Sequence, residues 1–271
     1  MTELYLLRRM AAAVSAALLV SMSGCGSTPK EAESQWSAEK LYAEAKEEAS
    51  LGNFDRAGKL YERLEGRASG TALAQQAQIE RAYMLYKSGD RAQALSVLER
   101  FAKLHPTSAA LDYALYLQGL VNFNDNLGLL GSVSRQDLSE RDQQAARDSH
   151  QSFKQLVDQF PQSIYADDAR VRMNYIVNSL AAYELHVARY YYRRSAYVAA
   201  ANRAQAVVSD FQNSPSAQEA LYIMVQSYDR LGLTDLRDDA DRVLRKSFPT
   251  TKIHSEGIGS TTAKQPWWQL W

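Results

Sequence analysis

The apolar residues of this chain recur at the spacing of amphipathic helices, and the pattern breaks at regularly placed glycines and prolines. In the segment Ala77 to Pro106, one apolar run ends at Gly89 and a second run opens directly after it. The second run places Ala94, Leu98 and Phe101 at helical spacing. Glycine can adopt the positive φ of a helix C-terminus, and proline cannot continue a helix, so both boundaries have a steric cause. The pattern predicts two helices joined by a tight turn.

This hairpin recurs along the chain at a constant spacing. Two glycine and proline pairs are separated by the same seventeen residues, and the first hairpin precedes the second by 37 residues. The positions concerned are Gly89 and Pro106, Gly232 and Pro249, and Gly52, with partial copies at 153–161 and 195–211. The unit resembles a tetratricopeptide repeat (TPR) that is slightly longer than usual. We therefore predict an all-α, TPR-like helical solenoid of five helix-turn-helix repeats over residues 38–249.

Two of the five units depart from the regular spacing. The third contains an insertion near 122–144, because Pro106 and Pro161 are 55 residues apart instead of 37. A loop of this length is expected to be functional or mobile. The fourth unit opens with an unbroken helical pattern from Asp167 to Arg194, which corresponds to a helix of about 42 Å.

The chain begins with the features of a bacterial secretion signal. Two arginines precede an apolar run, Met10 to Met22, that is too short to span a bilayer as a mature helix. The run ends in Ser23, Gly24 and Cys25, and small residues directly before a cysteine resemble the lipobox of bacterial lipoproteins. The alternative is an ordinary secreted protein with an isolated cysteine.

The lipobox resemblance implies that residues 1–24 are removed as a lipoprotein signal peptide. It also implies that Cys25 carries a covalent lipid, with an N-acyl chain and an S-diacylglycerol group. Cys25 is the only cysteine, so no intramolecular disulfide can form. The next residue, Gly26, is not the aspartate that commonly retains lipoproteins in the inner membrane, which favours the outer membrane. Residues 25–37 are polar and are expected to form a flexible tether.

Charge and composition exclude several other functions. The 31 basic and 31 acidic residues cancel, which leaves no electrostatic footprint for nucleic acid. The four histidines are scattered, and the chain has no glycine-rich phosphate loop and no cysteine and histidine pair for catalysis. We therefore expect a protein that is not an enzyme and that holds no metal or cofactor besides the lipid.

The turn of the fourth hairpin is the candidate docking surface. Three tyrosines, 190–192, and two arginines, 193–194, end its first helix, and Tyr197, Asn202 and Arg203 belong to its second helix. Tyrosine and arginine are enriched in interface hot spots. The alternative interpretation is that the three tyrosines form ordinary core.

The block Tyr183 to Arg203, together with the lipobox and the five hairpins, resembles the BamD (ComL) family, and the similarity covers nearly the whole chain. These proteins are lipoproteins of the outer-membrane β-barrel assembly machinery, the BAM complex. The resemblance implies that the C-terminal repeats dock on the POTRA region of the barrel subunit BamA, with the arginine of the Asn202-Arg203 pair in the contact. From the composition of the turn we add Arg194 and Tyr197 as candidate docking residues beside it. It also implies contacts with other BAM lipoproteins and a position at the outer membrane, facing the periplasm.

The same resemblance assigns the recognition of unfolded outer-membrane β-barrel proteins to the N-terminal repeats. In a solenoid of this kind the first helices line a concave wall that suits an extended peptide. Tyr42, Tyr83, Tyr86 and Tyr113 are candidate lining residues. The alternative is that these rings pack between hairpins with only their hydroxyl groups in water.

The final segment, residues 250–271, is a predicted C-terminal tail that contains three of the four tryptophans. It could fold back onto the last hairpin, bind a partner subunit or lie at the membrane interface, where tryptophan is favoured. A second function also fits the bulk features of the chain: a TPR lipoprotein for pilus-secretin assembly (a pilotin) or for peptidoglycan association.

Overall fold

The computed structural model describes residues 35–123 and 143–259, and most of these residues are helical. The helices are α1 (Ala38–Ser50), α2 (Phe54–Arg67), α3 (Ala72–Lys87), α4 (Arg91–Leu104), α5 (Leu111–Asn122), α6 (Gln143–Gln159), α7 (Ala166–Arg193), α8 (Tyr197–Asp210), α9 (Ala217–Leu231), α10 (Thr234–Ser247) and α11 (Ile253–Glu256). The predicted signal peptide, Cys25, most of the insertion and the tryptophan-rich end of the tail lie outside the described residues.

The helices pack in chain order as five hairpins, α1/α2, α3/α4, α5/α6, α7/α8 and α9/α10. Each helix from α1 to α9 contacts the next one along the chain, and α7 also contacts α9, the first helix of the following hairpin. This stacking of helix pairs confirms the predicted TPR-like solenoid of five repeats. In the third hairpin, the insertion lies between the two helices, α5 and α6.

The turns inside the hairpins share one backbone geometry. In the four hairpins whose turn is described, a residue with φ between 60° and 91° follows the first helix: Gly52, Gly89, Ser195 and Gly232. The next residue donates its N–H to a carbonyl five positions earlier, as Asp90 does to Leu85 at 2.9 Å. This is the hydrogen bond of a Schellman motif. The sequence analysis predicted the positive φ of glycine at these helix ends but not the hydrogen bond. Three of these four residues are glycines, and Ser195 adopts the same conformation although it has a side chain.

At two places, a serine in the link between successive hairpins bonds back to the first helix of the hairpin that precedes the link. Ser108 Oγ donates to Gln75 Oε1 at 2.8 Å, and Ser163 Oγ donates to Asp112 Oδ2 at 2.7 Å. In both cases the acceptor belongs to the N-terminal end of the preceding first helix. The two bonds therefore fix how successive first helices lie beside each other.

The buried side chains form two regions that meet within α7. The N-terminal region, in hairpins 1 to 3, is built around large rings, and Tyr61, Phe101 and Phe153 are at most 2% exposed. Leu180 is the last α7 residue of this region, and Ala181 opens the C-terminal core, which consists mostly of alanines from α7, α8 and α9. The long helix predicted over Asp167 to Arg194 is thus long enough to belong to both regions.

One expectation about the N-terminus is wrong. Trp36, which the sequence analysis places in the flexible tether, is only 9% exposed and belongs to the same buried cluster as Leu41. Ser37 caps α1 by accepting the Lys40 N–H at 3.2 Å. A single large ring has no periodicity, so the apolar pattern did not predict its burial. The packed array begins with this ring.

The chain after the last hairpin returns to α9. Ile253 of α11 is buried in a small cluster with Tyr222 and Leu244. The ring of His254 meets Tyr222 edge to face, with the ring centroids 5.4 Å apart. The start of the predicted tail therefore covers the end of the array, while the role of its tryptophan-rich part stays a prediction.

Candidate docking surfaces

Arg203 lies exposed on α8 and is held by a buried acid of α7. Its Nη1 donates to Glu184 Oε2 at 3.0 Å, and the Arg203 side chain is 48% exposed whereas that of Glu184 is 10% exposed. This hydrogen bond raises the pKa of the Arg203 guanidinium, which therefore carries a permanent charge. A guanidinium has five N–H donors. The remaining donors of Arg203 are available to a second acceptor from outside the chain.

The surface around Arg203 continues to the end of α7. Tyr191 lies close enough to contribute to the raised pKa of Arg203, and Tyr190 meets Tyr191 edge to face at 5.7 Å. Arg194 stacks over the Tyr190 ring, 5.5 Å from its centroid, and Tyr190 is 46% exposed. We call Arg203, Tyr191, Tyr190 and Arg194 the elbow surface. Tyr191 and Tyr192 also pack against the C-terminal core, so the interpretation as ordinary core holds for these two rings but not for Tyr190.

The other two predicted docking residues lie at the margin of the elbow surface or beyond it. Asn202 is exposed on α8. Tyr197 is partly buried and meets Tyr192 edge to face at 5.5 Å. Burial raises the pKa of Tyr222 of α9, and Tyr192 lies close enough to that phenol to add to the effect. Tyr197 therefore lies on the side of the hairpin that faces α9, and the structure does not bring it onto the elbow surface.

A buried ion pair fixes the end of α7 against α9. Arg189 Nε and Nη2 donate to the two carboxylate oxygens of Glu219 at 2.5 and 2.6 Å, and the side chains are 12% and 0% exposed. Glu219 Oε1 also accepts the N–H of Gly259 at 2.8 Å. Such bidentate, charge-assisted bonds define orientation as well as distance. The pair therefore holds the end of α7, where the exposed Tyr190 follows Arg189, against α9.

The sequence analysis did not identify the two buried acids. A charged residue occupies the same polar position in the helical pattern whether it is solvated or forms an ion pair. The pattern of apolar and polar residues alone therefore does not predict ion pairs. One signal was available for Glu184: it lies three residues after Ala181 and four before Ala188, on the buried stripe of α7. An acid on an apolar stripe needs a cation, and Arg203 of the adjacent helix supplies it.

The four tyrosines predicted to line a substrate groove all lie on first helices. Tyr42 is on α1, Tyr83 and Tyr86 are on α3, and Tyr113 is on α5, and each is partly buried. The Tyr42 hydroxyl accepts a hydrogen bond from Gln76 Nε2 at 2.9 Å. We call these four tyrosines the tyrosine face. Their rings pack against the N-terminal cores, and each ring is only partly buried. This arrangement agrees with the alternative interpretation, in which the rings pack between hairpins and their edges contact water.

A hydrogen-bonded network extends the tyrosine face from α5 to α7. The hydroxyl of Tyr116 donates to Asp168 Oδ2 at 2.7 Å, and Arg172 Nε donates to the same oxygen at 2.6 Å. Tyr116 also stacks on Tyr165 with centroids 4.8 Å apart. Burial, followed by the bond to Asp168, raises the pKa of Tyr116 to about 12. The network joins the third hairpin to the long helix.

A metal centre or a membrane-spanning helix would be visible within the described ranges. Within them, no group of three or more histidine, cysteine, aspartate or glutamate side chains is arranged to hold a metal ion. None of the helices in residues 35–123 and 143–259 has the length and apolar character needed to cross a membrane.

Comparisons with known proteins find relatives along nearly the whole chain. A family model described as outer membrane lipoprotein, YfiO, matches residues 34–243. The outer membrane protein assembly factor BamD of Neisseria meningitidis serogroup A is 42% identical over 263 residues, which cover 95% of this chain and 98% of that protein. The protein of the same name from Xylella fastidiosa strain Temecula1 is 36% identical over 238 residues, covering 88% of this chain and 81% of the relative. Among solved structures, a kinesin light chain with TPR-like repeats from Podosopora anserina is 12% identical with a TM-score of 0.35, covering 81% of this chain and 99% of that one.

Proposed function

The chain belongs to the BamD family of outer membrane protein assembly factors, and on this premise we propose that its elbow surface docks on the POTRA region of BamA. Membership of the family associates the chain with the BAM complex. The proposal adds the residues that make the contact, namely Arg203 at its centre, with Arg194 and Asn202 beside it. Tyr197 supports the hairpin from the side that faces α9.

The observation that carries this proposal is the half-exposed guanidinium of Arg203, fixed in place by Glu184. Arg193 and Arg194 are exposed at the same turn, and no carboxylate of the described residues pairs with either of them. The surface therefore presents uncompensated positive charge in a chain whose total charge is zero. Beside it lies the exposed ring of Tyr190. An acidic patch with an apolar neighbour is the complementary partner surface.

Capture of the BamA POTRA region by the full chain in mild detergent tests the proposal. Arg203→Glu should abolish capture, because reversing a charge at an interfacial pair costs several kcal/mol, on the order of 2–5. Arg100→Glu is a matched control, since Arg100 is 50% exposed and also bonds one carboxylate, Glu65, at 2.6 Å. The Arg100 variant should bind like wild type. Equal binding by both variants, or no binding by wild type, would contradict the docking role.

We further propose that the tyrosine face receives unfolded outer-membrane β-barrel proteins. Partly buried rings with wet edges, aligned on consecutive first helices, offer a surface for the aromatic residues of an extended segment. A photoreactive benzoylphenylalanine in place of Tyr83 should crosslink to an unfolded barrel protein. The same group in place of Glu99, which is exposed on the second helix α4, should not. Equal crosslinking at both positions would remove the assignment.

The anchor is proposed from the sequence resemblance. A lipid on Cys25 would hold the chain at the outer membrane with the array in the periplasm, where it can meet BamA and the other BAM lipoproteins. At about 0.8 kcal/mol per buried methylene, two or more acyl chains make such anchoring effectively permanent. Mass spectrometry of the mature N-terminus would show the lipid, and Cys25→Ser should release the chain into the soluble periplasmic fraction.

A further inference from the structure

One acidic side chain beside the tyrosine face has no partner that explains its burial. Glu80 of α3 is partly buried, and no described residue forms a hydrogen bond or an ion pair with it. Burial raises the pKa of its carboxyl group, and the positive charge of Lys46 partly opposes this effect. Burying a carboxylate without hydrogen bonds is unfavourable. A partly buried carboxyl group without such a partner is a candidate for contact with a ligand.

The aromatic groups around Glu80 come from the first and the third hairpins, on either side of α3. Gln76, one helical turn before Glu80, donates to the hydroxyl of Tyr42 at 2.9 Å, which brings α1 next to this part of α3. Tyr42 meets Tyr61 of α2 edge to face at 6.4 Å. Burial is the main cause that raises the pKa of Tyr61 and of Tyr113, and the charge of Glu80 adds to it in both, which places the Glu80 carboxylate near both phenols.

A cation of the chain itself already lies in these surroundings. Lys46 follows Tyr42 by one helical turn, and its Nζ is 5.6 Å from the centroid of the Tyr42 ring. Its charge acts on Glu80, yet the two side chains are too far apart to form an ion pair. Aromatic faces and a carboxylate both attract a cation. Because Lys46 is exposed and its stem is flexible, an incoming cation can take its place.

We propose that Glu80, with the rings of Tyr42 and Tyr113, forms a subsite for a lysine or arginine side chain of an extended peptide segment. This inference rests on the proposed receipt of unfolded outer-membrane proteins at the tyrosine face. It adds that the recognised segment carries a basic residue as well as aromatic ones. The carboxylate pairs with the basic head group, while the rings cover its apolar stem.

Two labelled ten-residue peptides that end in phenylalanine test the subsite by fluorescence anisotropy with the full chain in mild detergent. One peptide carries lysine at an interior position, and the other carries norleucine there, which has a similar stem without the charge. The lysine is moved through the interior positions in turn. We expect the lysine peptide to bind about tenfold more tightly than the norleucine peptide at one of them.

Three variants separate recognition from a structural role. Glu80→Gln keeps the shape of the side chain and should remove the preference for lysine while leaving the norleucine peptide unaffected. Glu99→Gln, at an exposed position of α4, should retain the preference. Lys46→Ala should strengthen binding of the lysine peptide about two- to fivefold, because the internal competitor is gone.

Each remaining outcome overturns the subsite. If lysine and norleucine peptides bind equally at every position, the subsite is wrong while the proposed receipt of unfolded proteins stands. If Glu80→Gln weakens both peptides equally, Glu80 only supports the fold of the face. If neither peptide binds wild type, the proposed substrate role fails together with the subsite.

Discussion

The first three hairpins and the last two share their turn geometry but have different interiors. In the N-terminal region the fully buried side chains include the rings of Tyr61, Phe101 and Phe153. In the C-terminal core five of the eight buried members are alanines. The two buried carboxylates of the described chain, Glu184 and Glu219, both lie in this second region. One half is therefore held by large apolar volume, and the other by close helix contact and by ion pairs to buried carboxylates.

The difference agrees with what each half presents to a partner. Large rings stabilise through the apolar area that they bury, and a ring at the edge of such a core leaves a wet, adaptable face. Buried ion pairs add little net stability but fix the orientation of the helices that carry them. The first design suits a surface that receives segments of variable sequence. The second suits a rigid elbow whose arginines must meet one partner surface.

The largest loss of stability should come from emptying the N-terminal core. Phe153→Ala removes a ring that is 0% exposed, and it should lower the free energy of unfolding by about 4 kcal/mol. Gly119 lies directly under this ring, since a Cβ there would come within 2.4 to 2.8 Å of three ring atoms. Urea denaturation followed by circular dichroism measures the change. Tyr190→Ala, which removes a half-exposed ring, should cost less than about 1 kcal/mol, and a similar loss for both would contradict the comparison.

The next largest effect should come from unpairing a charge in the C-terminal core. Glu219→Ala leaves the buried guanidinium of Arg189 without its partner and should cost about 3 kcal/mol. Exposed pairs of the N-terminal region behave differently: Asp158→Ala, which breaks the pair with Lys154, should cost less than about 0.5 kcal/mol. The same denaturation experiment compares the two variants.

Replacing both partners of the buried pair distinguishes stability from orientation. The double variant Arg189→Met with Glu219→Leu should unfold within about 1 kcal/mol of wild type, because apolar residues of similar volume avoid the cost of desolvating charge. Its capture of the POTRA region should nevertheless fall, because the end of α7 is no longer held in one rotation. A double variant as unstable as Glu219→Ala would show that the pair itself stabilises the fold.

A smaller loss is expected from adding volume where the C-terminal core is made of small residues. Ala204 of α8 is 0% exposed, and Ala204→Leu should cost about 2 kcal/mol by forcing α7 and α8 apart. The same change moves Arg203 away from Glu184, so POTRA capture should weaken more than the stability loss alone explains. Titration calorimetry at a temperature where the variant is folded separates the two effects. Unchanged affinity would mean that the elbow tolerates a wider helix spacing.

The architecture could be predicted from sequence because its causes are local. Glycine at a helix end and proline after the next helix each have a steric reason, and Gly89, Gly232 and Pro106 mark boundaries that the structure confirms. The length of α7 followed in the same way from the absence of a breaker. Trp36 was missed because a single ring outside the repeat produces no period.

The candidate surfaces could be predicted only in part, because contacts between helices are not local. Arg203 was identified from a family resemblance, and its exposed position agrees with that role. The acid that holds it, Glu184, was not identified, since nothing in the period of α7 indicates which residue of α8 lies opposite. Tyr197 was predicted beside Arg203 because it belongs to the tyrosine- and arginine-rich elbow, yet its ring meets Tyr192 on the side that faces α9. For the same reason the neighbours of Glu80 became visible only once three hairpins were stacked.

The smallest effect concerns the turn of the fourth hairpin, where a serine occupies the position that glycine has in the other described turns. Ser195 adopts φ 60° at the position where Gly52, Gly89 and Gly232 adopt positive φ, and a side chain makes this conformation costly. Ser195→Gly should therefore stabilise the chain by about 0.5 kcal/mol, the relief of strain being partly offset by the greater freedom of glycine when unfolded. Gly89→Ser, the reverse change in the N-terminal region, should destabilise by a similar amount. If Ser195→Gly instead destabilises the chain, the serine side chain must be restricting the elbow, and POTRA capture by this variant should then fall as well.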